Sequence, residues 1–138
     1  MEFIMGEIYA LRSIDPLKPA TTLVLLPGFP TFDSFMDLYA VAEDIANKDD
    51  NSRVIQVLPF HPDATFTDVQ SDAADFSSRS PVPMLHLLRD ADVEMAEYEW
   101  AQRHAPDSPP GIQERNAAYL RGLGYDEVAQ VVERASSR

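Results

Sequence analysis

The stretch SSRSPVPMLHLLRD, residues 77–90, gathers two arginines, one histidine and two prolines within fourteen positions of a strongly acidic chain. Arg79 and Arg89 are of the residue type that grips carboxylates and phosphates through a planar fork of donors. His86 between them, and His61 in the earlier turn FHPD, carry an imidazole that titrates near neutrality and suits general acid and base work. Asp63 adds a carboxylate two positions after His61, and Ser80 adds a hydroxyl just before Pro81. Guanidinium, imidazole and a helix start brought together form the equipment of a site for a small anionic metabolite, a phosphate or a carboxylate. In that arrangement Arg79 and Arg89 are charge partners, Ser80 and Asp63 further ligand contacts, and His61 and His86 the proton carriers.

The same residues admit two other arrangements. Arg79 paired with Asp63, Asp72 or Asp75 would anchor a long loop, Arg89 would pair with Glu94, and Ser80 would serve as a helix N-cap. The domain would then be a non-catalytic structural or interaction protein with a buried Arg/His/Asp network. A metal site is the third arrangement, with His61, Asp63 and His86 as nitrogen and oxygen ligands of the kind zinc or manganese accepts. Against it, no HExxH or His-x-His spacing occurs and two nearby arginines repel a cation. No cofactor is implied by any motif.

The elements that position these residues follow from hydrophobic period and punctuation. ATTLVLLPG, residues 20–28, and RVIQVLPFHPD, residues 53–63, are short apolar runs stopped by proline, and read as strands. Between them Phe35, Leu38, Tyr39, Ala42, Ile45 and Ala46 recur at helical spacing, with Thr31 or Asp33 as cap. Strand, helix and strand predict a right-handed parallel βαβ unit, whose C-terminal strand ends would hold His61. Residues 63–80 read as a long surface loop. Ser80 and Pro81 then predict a helix start, with Met84, Leu87, Leu88, Ala91 and Met95 as its apolar stripe toward Trp100. On that helix His86 and Arg89, three apart, share a flank. PDSPPG, residues 106–111, is a connector, followed by a helix ended by Gly124, a last helix, and a polar tail. At the front, IMGEIYALRSID predicts a short helix before Pro16. The expected fold is one α/β domain over residues 1–138: a small parallel sheet with one βαβ unit, flanked by helices, with two or three helices at the C-terminus.

Composition narrows the function classes. The chain has no cysteine, which removes disulfides, thiolate nucleophiles and cysteine-ligated metals. A net charge of -12 would repel a phosphate backbone, so nucleic acid is not an expected partner. No apolar run reaches the roughly 18 residues of a membrane span, and the N-terminus carries no basic leader, so a cytoplasmic location is the default.

The order LPFHPDATF, SSRSPVPMLHLLRD, IQERNAAYLRGLG resembles the bacterial family catalogued as domain of unknown function 1415. That family's signature is a phenylalanine-histidine-proline turn, an Arg-Ser-Pro-x-Pro-x-x-His-Leu-Leu-Arg segment and a C-terminal helix with Glu-Arg-Asn. Here these stand as Phe60, His61 and Pro62; as Arg79, Ser80, Pro81, Pro83, His86, Leu87, Leu88 and Arg89; and as Glu114, Arg115 and Asn116. The resemblance implies no activity. It does imply a further N-terminal strand and a Cys-Pro-Phe-Ala motif, and this sequence contains neither. The sheet is therefore expected to be incomplete, with its strand edge covered by residues 1–12 or by a second copy of the chain.

Overall fold

The computed structural model describes residues 1–48, 53–104 and 111–137. Among these described residues, five α-helices and three strands follow in the order α1 (Glu2–Ser13), β1 (Thr21–Leu25), α2 (Phe32–Asn47), β2 (Ile55–Phe60), β3 (Met84–Arg89), α3 (Asp90–Arg103), α4 (Ile112–Leu123) and α5 (Tyr125–Ser136). A 3₁₀ helix, Ala73–Ser78, lies between β2 and β3. The connector read over residues 106–111 falls, apart from Gly111, outside the described residues.

The sheet corrects the expected parallel α/β fold. Its order is β1-β3-β2, and β3 runs antiparallel to both neighbours. β1 and β2 share a direction, but β3 lies between them, so the unit around α2 is split and no parallel pair forms among the described residues. The central strand is the segment that the apolar stripe assigns to a helix. Two prolines explain the difference, because the residue before each proline is pushed out of the helical region. Helix is thus disfavoured at Ser80 and Val82, and the chain bends there and enters the sheet before the helix opens at Asp90. Pro59 sits on β2, an edge strand, where a missing N–H is tolerated.

α1 and α2 cover one face of this sheet. Ile4, Ile8 and Leu11 of α1 and Phe35, Ala42 and Ala46 of α2 pack on Val24, Ile55, Val57, Leu85 and Leu87. Residues 1–12 thus lie on a sheet face instead of covering a strand edge. Buried Arg12 joins this layer: its Nη2 donates to the carbonyl of Ala46 at 2.7 Å, capping the last turn of α2 where the helix dipole favours a cation. At the far end Gly124, at φ 89°, separates α4 from α5, and its N–H donates to the Leu120 carbonyl. That backbone region is open to glycine and strained for other residues.

Candidate functional site

β3 decides where the candidate residues point. On a strand, residues three apart face opposite sides, so His86 and Arg89 diverge. Leu85, Leu87 and Arg89 are buried on the helix-covered side, and Met84, His86 and Leu88 alternate onto the other side. Arg89 pairs with Ile55 at one end of the sheet, whereas His61 follows Phe60 at the opposite end. Six residues of strand separate these ends, about 20 Å. The expected meeting of His61, Arg79, His86 and Arg89 in one pocket does not occur.

At its own end His61 is completely buried, against the rings of Phe32 and Phe35. The backbone N–H of Asp63 donates to its Nδ1 at 3.0 Å, which leaves the ring proton on Nε2, 3.2 Å from the carbonyl of Phe29. Nδ1 therefore closes the turn after β2 on itself, and Nε2 ties that turn to the turn after β1. Arg79 Nε donates to the carbonyl of Ala64 at 3.2 Å, and its guanidinium lies over the Phe76 ring. The Ser80 hydroxyl donates to the Val82 carbonyl at 2.6 Å and caps no helix. Asp63 is exposed.

Arg89 is buried, and each of its three nitrogens donates within the fold. Its Nε donates to Asp92 at 2.6 Å, Nη1 to the carbonyl of Asp15 at 3.1 Å, and Nη2 to the carbonyl of Lys18 at 2.5 Å. It thereby ties the segment between α1 and β1 to the sheet. Beside it lies a cavity of about 180 Å³ where Arg12, Arg53 and Arg89 meet the carboxylates of Asp90, Asp92 and Glu94. The three cations face three anions, so the cavity wall carries no net positive field.

Arg79 joins the two ends of the long loop through the Ala64 carbonyl and not through an ion pair; the rest of the loop is held by carboxylates. Asp75 accepts from the backbone N–H groups of Phe66 and Thr67 and from the Thr67 hydroxyl. Asp72 caps the 3₁₀ helix through the Ala74 N–H and receives the fork of Arg121, with Nη2 to Oδ2 at 2.7 Å. Those bonds, Arg121 foremost, hold the Asp72 carboxyl below its ordinary range. Arg121 was not among the candidate residues, and no local spacing links position 72 to position 121. Arg115 of the Glu-Arg-Asn motif likewise clamps α4 to α3, lying 3.7 Å over the Trp100 ring and bonding Glu97.

His86 stands half-buried on the open face of the sheet. The Thr21 hydroxyl donates to the Leu87 carbonyl at 2.9 Å, so its 2.6 Å contact with His86 Nε2 is an N–H donated to the hydroxyl oxygen. Nδ1 is left as a bare acceptor, without a partner among the described residues. Burial lowers the His86 pKa from its ordinary value. Around it, Thr21, Leu23 and Leu25 come from β1, and Gln56, Leu58 and Phe60 from β2, all in register with Met84, His86 and Leu88. None of these nine is charged. Leu23 and Leu25 are 55% and 60% exposed, while Leu85 and Leu87 on the other face are at 0%.

Among the described residues no three His, Asp or Glu side chains converge to hold a metal ion. His61 and His86 stand on opposite faces of the sheet, so the His61, Asp63 and His86 set is not assembled. No helix among the described residues is long and apolar enough to cross a membrane.

The signature segments thus include structural joints: the His61 turn, the bent Pro-x-Pro entry to β3, and the Arg115 clamp. A family model described as "Protein of unknown function (DUF1415)" matches residues 1–130. The chain belongs to that family. No curated protein and no solved structure matches it.

Proposed function

We propose that this DUF1415 chain is a non-catalytic interaction module that binds an apolar surface of another protein through the open face of its sheet. The observation that carries this reading is a nine-residue face without a charge on a chain of net charge -12, with Leu23 and Leu25 more than half exposed. Contiguous apolar surface of that kind marks interaction sites in soluble proteins. The candidate catalytic groups support the same reading, because both nitrogens of His61 and all three nitrogens of Arg89 bond within the fold.

A small anion is the second reading, supported by the convergence of Arg12, Arg53 and Arg89 on one cavity. A thermal-shift titration of the full chain with inorganic phosphate, citrate and short carboxylic acids separates the two. A ligand bound only by the folded state raises the melting temperature by mass action. The interaction module shows no stabilisation with these anions. Stabilisation that disappears in Arg53→Ala or Arg89→Ala would replace this reading with the anion site.

A further inference from the structure

Resting on the interaction reading, we infer that the open sheet face docks a single amphipathic helix of a partner protein, with an apolar stripe and basic flanks. Size argues for one helix. Three strands about 4.8 Å apart and six residues long present a footprint of about 14 by 20 Å. A helix about 10 Å across and roughly 13 residues long fills that footprint. A second copy of the chain fits poorly, because a stable protein interface needs about 800 Å² per partner, roughly three times this area. Each copy would also bring a net charge of -12 to the other.

Charge complementarity sets the flanks. The face itself is neutral, but its Thr21, Leu88 and Gln56 end is bordered by carboxylates. Gln56 donates to Asp90. Beside Thr21 a groove of about 670 Å³ continues the apolar strip with Leu17 and Met95, and Asp92 and Glu99 stand in its wall. Asp92 meets Arg89 and Glu99 meets Arg103, so the basic end of a partner would share these carboxylates with intramolecular cations. At the centre, His86 Nδ1 needs a donor once water is excluded, which a Gln, Ser or Lys on the docked stripe supplies. No charged group faces His86 from β1 or β2: its neighbours there are Thr21, Leu23, Leu58 and Phe60. Protonating it would place a lone cation in the interface, so docking weakens as pH falls below the ordinary imidazole value of about 6.5.

The test uses two synthetic peptides of one Leu, Lys and Gln composition. One is patterned as an amphipathic helix of about 14 residues, the other scrambled so that no apolar stripe forms. Each is titrated into the isotopically labelled full chain, with amide shifts and affinity recorded. The patterned peptide shifts Leu23, Leu25, Leu58 and His86 and binds at least about tenfold more tightly than its isomer. Leu23→Glu and, separately, Leu25→Glu each weaken it by about tenfold or more, although each adds a charge that attracts lysine. Equal binding of both peptides, or shifts confined to the acidic helices α3 to α5, overturns the inference. So do concentration-dependent shifts of the same face without peptide, which would assign it to a second copy. If the peptides fail while phosphate and citrate leave the melting temperature unmoved, the helix partner falls and the interaction reading stands. Stabilisation by those anions would remove the reading beneath it.

Discussion

Arg89 shows how one side chain acts as a joint. Its three bonds secure the Asp15 and Lys18 carbonyls and the Asp92 carboxylate around a side chain that is 9% exposed. Truncation leaves these acceptors without their donor, and each lost bond to a charged group costs roughly 1.5–3 kcal/mol. Arg89→Ala should therefore lower the unfolding free energy by about 4 kcal/mol or more in urea titrations with no ligand present. Arg89→Lys should recover little of it, since one ammonium cannot span three acceptors held by a planar fork. His86 gives the opposite kind of prediction. Its pKa is lowered by burial, so the folded chain takes up the proton less readily than the unfolded chain. Stability is then highest above the ordinary value and declines as pH falls from about 6.5 through the lowered one. His86→Leu should flatten that part of the pH profile of the melting temperature; an unchanged slope would mean that another group causes it.

The elements were legible where period and punctuation agreed. The helix around Phe35, Ala42 and Ala46, the two proline-stopped strands and the break at Gly124 all follow from spacing. β3 was not legible, because Met84, Leu87, Leu88, Ala91 and Met95 repeat at helical intervals across a strand and the helix that continues it. A central strand with one covered face and one apolar open face carries apolar residues on both sides, and this imitates a helical stripe. The two X-Pro pairs were the contrary signal. That single assignment also decided the site, since a step of three aligns side chains on a helix and opposes them on a strand. The long loop is tied by the Asp72–Arg121 fork between the 3₁₀ helix and α4. With Asp72 held below its ordinary range, first by Arg121, the fork contributes above about pH 4 and is lost as pH falls through the lowered value. Asp72→Asn should remove this part of the acid limb and speed hydrogen exchange of residues 64–78, while β3 amides stay protected. Loss of protection in β3 as well would show that the loop and sheet open together.

At the scale of the molecule, 23 acidic side chains against 11 basic ones set a balance that no local bond relieves. Exposed ion pairs such as Lys48–Asp44 and Arg103–Glu99 contribute little individually, about 0–1 kcal/mol. Self-repulsion of the acidic excess therefore outweighs them, and it opposes compactness over distances that salt controls. The screening length shortens from about 30 Å at 0.01 M to about 10 Å at 0.1 M and 3 Å at 1 M. Sodium chloride should accordingly raise the melting temperature by a few degrees between low and physiological ionic strength, the equivalent of about 1 kcal/mol for a domain of this size. The same salt should weaken a basic helix docked on the open sheet face, because its flanks meet Asp90 and Glu99 across water. The isolated fold and its complex thus respond to salt with opposite signs. Scanning calorimetry of the free chain and peptide titrations over one salt series measure both. A free chain destabilised by salt would mean that its ion pairs, and not its excess of carboxylates, govern the balance.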